Sequence, residues 1–378
     1  MPLYGGRSKG VALKRSVFLS GAALAASALV AIGPLASSAT AQGGSGDLRP
    51  GLPLPLHVSA PYLDVTAVDS IAQTAKDSGN KYMTLAFLQT DEPGSCDLYW
   101  AGNKETSVAD GAYKDEIAAI RKAGGDVIIS FGGYNATNDT TTWAGDPAQL
   151  HEIADSCTDV HKIAQAYEKV VTTYGVTRLD MDIEGDSIKN TPGVERRNAA
   201  IAELQRWAVK NHRVVDVTYT LPSTPNGLVQ TGKDLVSSAK AHGAVIRTFN
   251  VMTFDYWDGA QHDMVADAQT AATGLLDQVH ELYAPRVPKA LLWNAIGVVQ
   301  MNGIDDFGPT ETLSVDQAKT FQRWATQKHL GYIGFWAVQR DHQGTDCVGV
   351  KGAWNCSGVE QGDWAFSKAF APFTSWWP

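Results

Sequence analysis

Leu179-Asp180-Met181-Asp182-Ile183-Glu184-Gly185 carries three carboxylates at i, i+2 and i+4, separated by apolar Met181 and Ile183. In a β-strand, side chains two apart share a face, so the three acids form one row with neighbours roughly 6–7 Å apart. Two settings produce such a row. On a half-buried strand it is the solvated face, with Leu179, Met181 and Ile183 turned to the core. In a reactive site, three crowded like charges raise one another's proton affinity. One carboxyl then stays protonated near neutral pH, as a general acid must. The glycine position and loop spacing of a helix–loop–helix calcium site are missing, and no metal is expected.

Outward from this stretch, short apolar runs alternate with helical patterns. Candidate strands fall at 57–59, 82–88, 126–131, 178–183, 214–220, 248–254, 290–298 and 332–337. Candidate helices, with apolar residues at i, i+3, i+4, fall between them at 67–78, 113–123, 159–174, 194–211, 232–242, 263–283 and 314–328. Eight strand–helix repeats predict a (β/α)8 barrel rather than an open doubly wound sheet, since no Gly-x-Gly-x-x-Gly follows the first strand. Barrel active sites sit at the C-terminal ends of strands, and Glu184 ends the fourth.

The chain has 378 residues, 44% of them hydrophobic. Arg7, Lys9, Lys14 and Arg15, an apolar stretch over 17–35 and the small-x-small Ala39-Thr40-Ala41 read as a signal peptide cleaved after Ala41. Gly33 and Pro34 break the apolar run, which argues against a membrane anchor. Residues 42–50 read as a flexible leader and 51–378 as one catalytic domain. Cleavage removes four basic residues and no acid, so the formal charge moves from −9 to about −13. That balance excludes nucleic acid and anionic membranes as partners but does not hinder a neutral polymer. A secreted, extracellular monomer is expected. Cys96, Cys157, Cys347 and Cys356 suit an exported protein with disulfides. Cys347 pairs most easily with nearby Cys356, which leaves Cys96 for Cys157, among three formal connectivities. A zinc site lacks the required close spacing.

The acid row resembles the Asp-Gly-x-Asp-x-Asp-x-Glu motif of glycoside hydrolase family 18, the chitinases and related endo-β-N-acetylglucosaminidases. Thr177 and Arg178 stand in its first two positions, while Asp180, Asp182 and Glu184 match the essential acids. Ser130-Phe131-Gly132-Gly133 is similar to the family's Ser-x-Gly-Gly on strand three. Met252-Thr253-Phe254-Asp255 is similar to Met-x-Tyr-Asp on strand six, with Phe254 replacing the tyrosine. Trp336 resembles the strand-eight tryptophan that floors the sugar site, and 301–306 resembles a loop after strand seven. The likeness covers roughly residues 52–345.

This resemblance implies a retaining hydrolysis without cofactor, in which the substrate's own acetamide acts as the nucleophile. Glu184 would protonate the glycosidic oxygen. Asp182 would orient the acetamide and stabilise the oxazolinium charge. Asp180 would share a proton with Asp182 and help raise the pKa of Glu184. Asp255 would hold the acetamide or a hydroxyl. Tyr256, two residues beyond Phe254 on the same face of an extended strand, would supply the missing hydroxyl. Trp336 and Met252 would contact the sugar, while Ser130 and Gly132 would shape the floor. Tyr62, Trp143, Trp257 and Trp293 are further aromatic candidates, and Trp376-Trp377 could touch polymer. The implied substrate is chitin or chito-oligosaccharides. The alternatives are an endo-β-N-acetylglucosaminidase acting on N-glycans, or a non-catalytic chitin-binding lectin, which the presence of Glu184 disfavours.

Overall fold

Leu179, Met181 and Ile183 are fully buried, and Asp180 and Asp182 on the opposite face are only 2% and 4% exposed. A strand buried on both faces belongs in a parallel sheet covered by helices. The solvated-face reading of the acid row is thereby excluded. In the computed structural model, which describes residues 50–137, 151–256, 258–344 and 346–375, that sheet closes into a barrel. All of these residues belong to one compact unit, Gly46–Pro378. The expected signal peptide, nearly all of the leader, Trp143, Trp257 and Trp376-Trp377 lie outside the described residues.

The barrel strands are β1 (Val58–Ser59), β2 (Tyr62–Asp64), β3 (Tyr82–Gln89), β4 (Asp126–Gly132), β5 (Arg178–Asp182), β6 (Asp216–Thr224), β7 (Ile246–Met252), β8 (Ile296–Met301) and β9 (Tyr332–Trp336). Each is parallel to its neighbour, in the order β1-β9-β8-β7-β6-β5-β4-β3-β2. β1 and β2 are two halves of one stave, interrupted where Pro61 lacks an N–H for the ladder. The first half pairs with β9 and the second with β3, so the cylinder closes. Eight staves and intervening helices make this a TIM barrel.

Seven long helices follow in turn: α1 (Ile71–Ser78), α2 (Lys114–Lys122), α3 (Val160–Tyr174), α4 (Thr191–Lys210), α5 (Gln230–His242), α6 (Met264–Leu282) and α7 (Val315–Lys328). Their starts obey capping chemistry. Asp159 accepts from the His161 and Lys162 N–H groups, Asp263 from Val265 and Ala266, and Ser314 forms a capping box with Gln317. Leu179, Met181 and Ile183 share one apolar cluster with Val170 and Val171 of α3 and Ile201 and Leu204 of α4.

One boundary differs from expectation. The stretch 290–298 is strand only from Ile296, because residues after Pro288 turn helical over Lys289–Leu292 and Trp293–Ala295. Pro288, at φ −55°, is set for such a start. Both expected disulfides form, with Cα–Cα separations of 4.9 Å for Cys96–Cys157 and 6.2 Å for Cys347–Cys356. No helix among the described residues is long and apolar enough to cross a membrane.

Candidate active site

Register builds the floor of the site. Asp180 pairs across the ladder with Ser130 on one side and Thr218 on the other, and Asp182 pairs with Gly132 and Thr220. Neighbours in register share a face, so hydroxyls converge on the acid row. Asp180 Oδ2 accepts from Tyr62 Oη at 2.8 Å and Ser130 Oγ at 2.7 Å, and Oδ1 accepts from Thr218 Oγ1 at 2.8 Å and Thr220 Oγ1 at 2.9 Å. Burial pushes the Asp180 pKa up, against the pull of these four hydroxyls. Asp180 hydrogen-bonds this ring of hydroxyls; no bond to Asp182 is among its contacts.

Asp182 lies one pleat nearer the mouth. Its Oδ1 is buried and has no hydrogen-bond partner among the described residues. Burial, then the charges of Glu184 and Asp180, drive its pKa well above the usual carboxylate range. Glu184 is half-buried, two residues past Asp182 at the end of β5. Burial raises its pKa to about 7. The sequence reading expected crowding by the other acids to do this. Desolvation of Glu184 acts beside that crowding, since the repulsion between Glu184 and Asp182 is shared by the pair.

A cleft of about 800 Å³ opens above the row, and Asp182, Glu184, Met252, Phe254, Asp255 and Trp336 all face it. Trp336, the last residue of β9, stacks on Phe87 with centroids 5.6 Å apart and planes inclined by 15°, and Tyr62 packs at 6.2 Å. Phe87 and Tyr134, which also line the cleft, were missed from sequence. Phe87 lies near the C-terminal end of β3 and Tyr134 just past that of β4, the position that could have flagged them. Ser130 and Gly132 are not in the lining. Ser130 serves Asp180, and Gly132, at φ 95°, leaves room for the Asp182 carbonyl where a Cβ would collide. Gly133, at φ 76°, faces the Phe87 ring, which a Cβ would meet at 2.5 Å.

Asp255 accepts the Asp306 N–H at 3.2 Å, and its own N–H donates to Asp305 Oδ2 at 3.1 Å. Burial, with the charges of Asp306 and Asp305, raises its pKa to about 8. It adopts a left-handed φ of 54°. That turn breaks the two-residue alternation, so Phe254 faces the cleft and Tyr256 does not. Tyr256 packs on His262 at 4.9 Å and donates its N–H to Glu311 at 2.9 Å, while its hydroxyl finds no partner among the described residues. The expectation that it replaces the missing hydroxyl fails on this geometry. Trp293 is likewise turned away, edge-on to Trp324 at 5.9 Å with Lys328 Nζ 5.5 Å above its ring.

A desolvated carboxyl near neutrality, a second acid beside it and an aromatic floor meet at the barrel mouth, the arrangement a glycoside hydrolase of the (β/α)8 type would use. No protein-family model matches the chain. It is 30% identical over 330 residues to a probable bifunctional chitinase/lysozyme of Escherichia coli, covering 85% of this chain and 35% of that protein. It is 29% identical over 297 residues to endochitinase 11 of Metarhizium anisopliae, covering 76% of this chain and 53% of that protein. The chain thus spans about a third and about half of these two relatives. Active domain 2 of the chitinase from Pyrococcus furiosus has a similar structure, with a TM-score of 0.71 and 28% identity over 85% of this chain and 96% of that one. These likenesses in sequence and structure support the resemblance to glycoside hydrolase family 18.

Proposed function

We propose that the protein cleaves β-1,4 linkages between N-acetylglucosamine units of chitin and chito-oligosaccharides. One observation carries this reading. Glu184, raised to about 7, lines the same cleft as Asp182 and Trp336. Glu184 donates its proton to the glycosidic oxygen as the bond to the anomeric carbon breaks. The carbonyl oxygen of the substrate's 2-acetamido group attacks that carbon from the opposite face and gives an oxazolinium intermediate. Asp182, with its free Oδ1, accepts the acetamide N–H and faces the developing positive charge. Water then opens the ring and gives its proton to Glu184, so the β configuration is retained. Asp180 is pinned beneath Asp182 by its four hydroxyl partners. Trp336, backed by Phe87, offers its face to the sugar C–H groups, with Met252 beside it. Asp255 holds a hydroxyl or the acetamide.

Export fits the same reading. Removal of residues 1–41 would release an extracellular, monomeric 42–378, and the two disulfides are consistent with an oxidising compartment. The test is to incubate the protein with colloidal chitin and, separately, with a high-mannose glycoprotein, and to follow the first product by NMR. Release of β-anomeric chito-oligosaccharides is expected. An α-anomeric first product, or cleavage of the glycoprotein alone, overturns the proposal.

A further inference from the structure

The loop that forms one wall of the cleft carries an aromatic group that the reaction above does not use. Among the described exposed hydrophobic side chains, two are aromatic: Tyr134, 50% exposed, and Trp354, 67% exposed. Tyr134 lines the cleft itself. Trp354 belongs to the loop closed by Cys347–Cys356, and Lys351 of that loop also lines the cleft. Three residues span at most about 11 Å, so the Trp354 backbone stands beside the cleft. Exposed Val348 and Val350 lie on the same loop.

The loop is anchored along its length. The Gly352 N–H donates to the Asp305 carbonyl at 2.9 Å, buried Arg340 donates to the Ala353 carbonyl, and the Gly349 N–H donates to the Gly358 carbonyl at 2.8 Å. Just past the disulfide, the Ser357 carbonyl accepts the Ile304 N–H at 2.8 Å. Asp306 occupies the space a side chain on Gly352 would need. The backbone that carries the indole has lost much of its freedom before any ligand arrives, and preorganisation of that kind lowers the cost of binding. Its flat apolar face suits the C–H face of a sugar ring, and its loop reaches the cleft through Lys351.

We propose that Trp354 extends the sugar-binding surface beyond the cleft and docks the part of a chitin chain that lies outside the reactive linkage. This rests on the reading of the cleft as a chitin site. The experiment compares the parent with Trp354→Ala and Trp354→Phe, measuring adsorption to colloidal chitin beside hydrolysis of a soluble chromogenic chitobioside. Trp354→Ala should adsorb about tenfold more weakly, the worth of one aromatic contact. Trp354→Phe should retain most of the adsorption, and both variants should keep the parent kcat/KM on the chitobioside. Adsorption of Trp354→Ala equal to that of the parent overturns the proposal, as does an equal loss on the chitobioside, which would place Trp354 at the reactive linkage. A parent that neither adsorbs to nor cleaves chitin refutes the chitin reading itself, and this inference with it.

Discussion

Glu184→Gln keeps the shape of the side chain and removes the carboxyl proton. With the Glu184 pKa at about 7, roughly half of the molecules carry that proton at pH 7. An amide cannot deliver it to the leaving oxygen. General acid catalysis contributes about 10²–10⁴ in rate, or about 3–5 kcal/mol of barrier. The substitution should therefore lower kcat by that factor while chito-oligosaccharide binding, measured by calorimetry, stays near the parent value. The pH dependence supplies a second readout. The acid must be protonated to act, so parent kcat/KM should fall as pH rises through about 7, and this alkaline limb should vanish in the variant. Stability follows the same sign. The folded state raises the pKa from 4.5 to about 7, so the favourable contribution is complete below about 4.5 and is lost as pH rises to about 7. Solvent at the half-buried side chain screens part of that effect. A variant within tenfold of the parent rate, or one that keeps the alkaline limb, would refute the assignment of Glu184 as the acid.

Three further outcomes follow from the geometry. Ser130→Ala removes one of four donors to buried Asp180 and should cost about 1–3 kcal/mol in denaturant unfolding; an unchanged midpoint would show that the Ser130 bond does not hold Asp180. Gly133→Ala drives a Cβ against Phe87 at a left-handed φ, and about 2–4 kcal/mol of destabilisation is expected together with a raised KM for chito-oligosaccharides. Parent-like stability would contradict the close packing of Phe87. Tyr256→Phe removes a hydroxyl with no partner among the described residues, outside the cleft lining, and should leave kcat unchanged; a large drop in initial rate would return Tyr256 to the reaction.

The barrel was legible because strand and helix periods alternate along the whole chain and each leaves a local signature. The acid row was legible for the same reason: Asp180, Asp182 and Glu184 recur at the strand period, at a strand end. What a sequence does not carry is cross-strand register. Tyr62, Thr218 and Thr220 reach Asp180 only because strands far apart in the chain lie side by side. The error at Tyr256 has a local cause. Alternation was extrapolated through Asp255, whose φ of 54° leaves the strand; aspartate tolerates that region better than most residues, but its presence alone does not announce a turn. Trp293 misled because a tryptophan beside a strand is equally at home against another helix, here at Trp324. Phe87 was overlooked because its partners, Trp336 and Gly133, are distant in sequence.

Three acids in one row would repel one another if they shared one environment, and the structure gives each its own. Asp180 is surrounded by hydroxyl donors, which favour the anion. Glu184 has no such donors among the described residues and is desolvated, which favours the neutral acid. Asp182 lies between the two, so its proton affinity depends on whether Glu184 holds its proton. In the proposed reaction this coupling has a direction. While Glu184 is protonated, Asp182 feels one charge fewer and is more readily ionised, ready to receive the acetamide N–H. When Glu184 gives up its proton, the positive intermediate forms beside Asp182 and offsets the added negative charge. A two-acid site would supply the donor and the stabiliser; the third acid, pinned by four hydroxyls beneath Asp182, adds a further group that raises the proton affinity of the middle one.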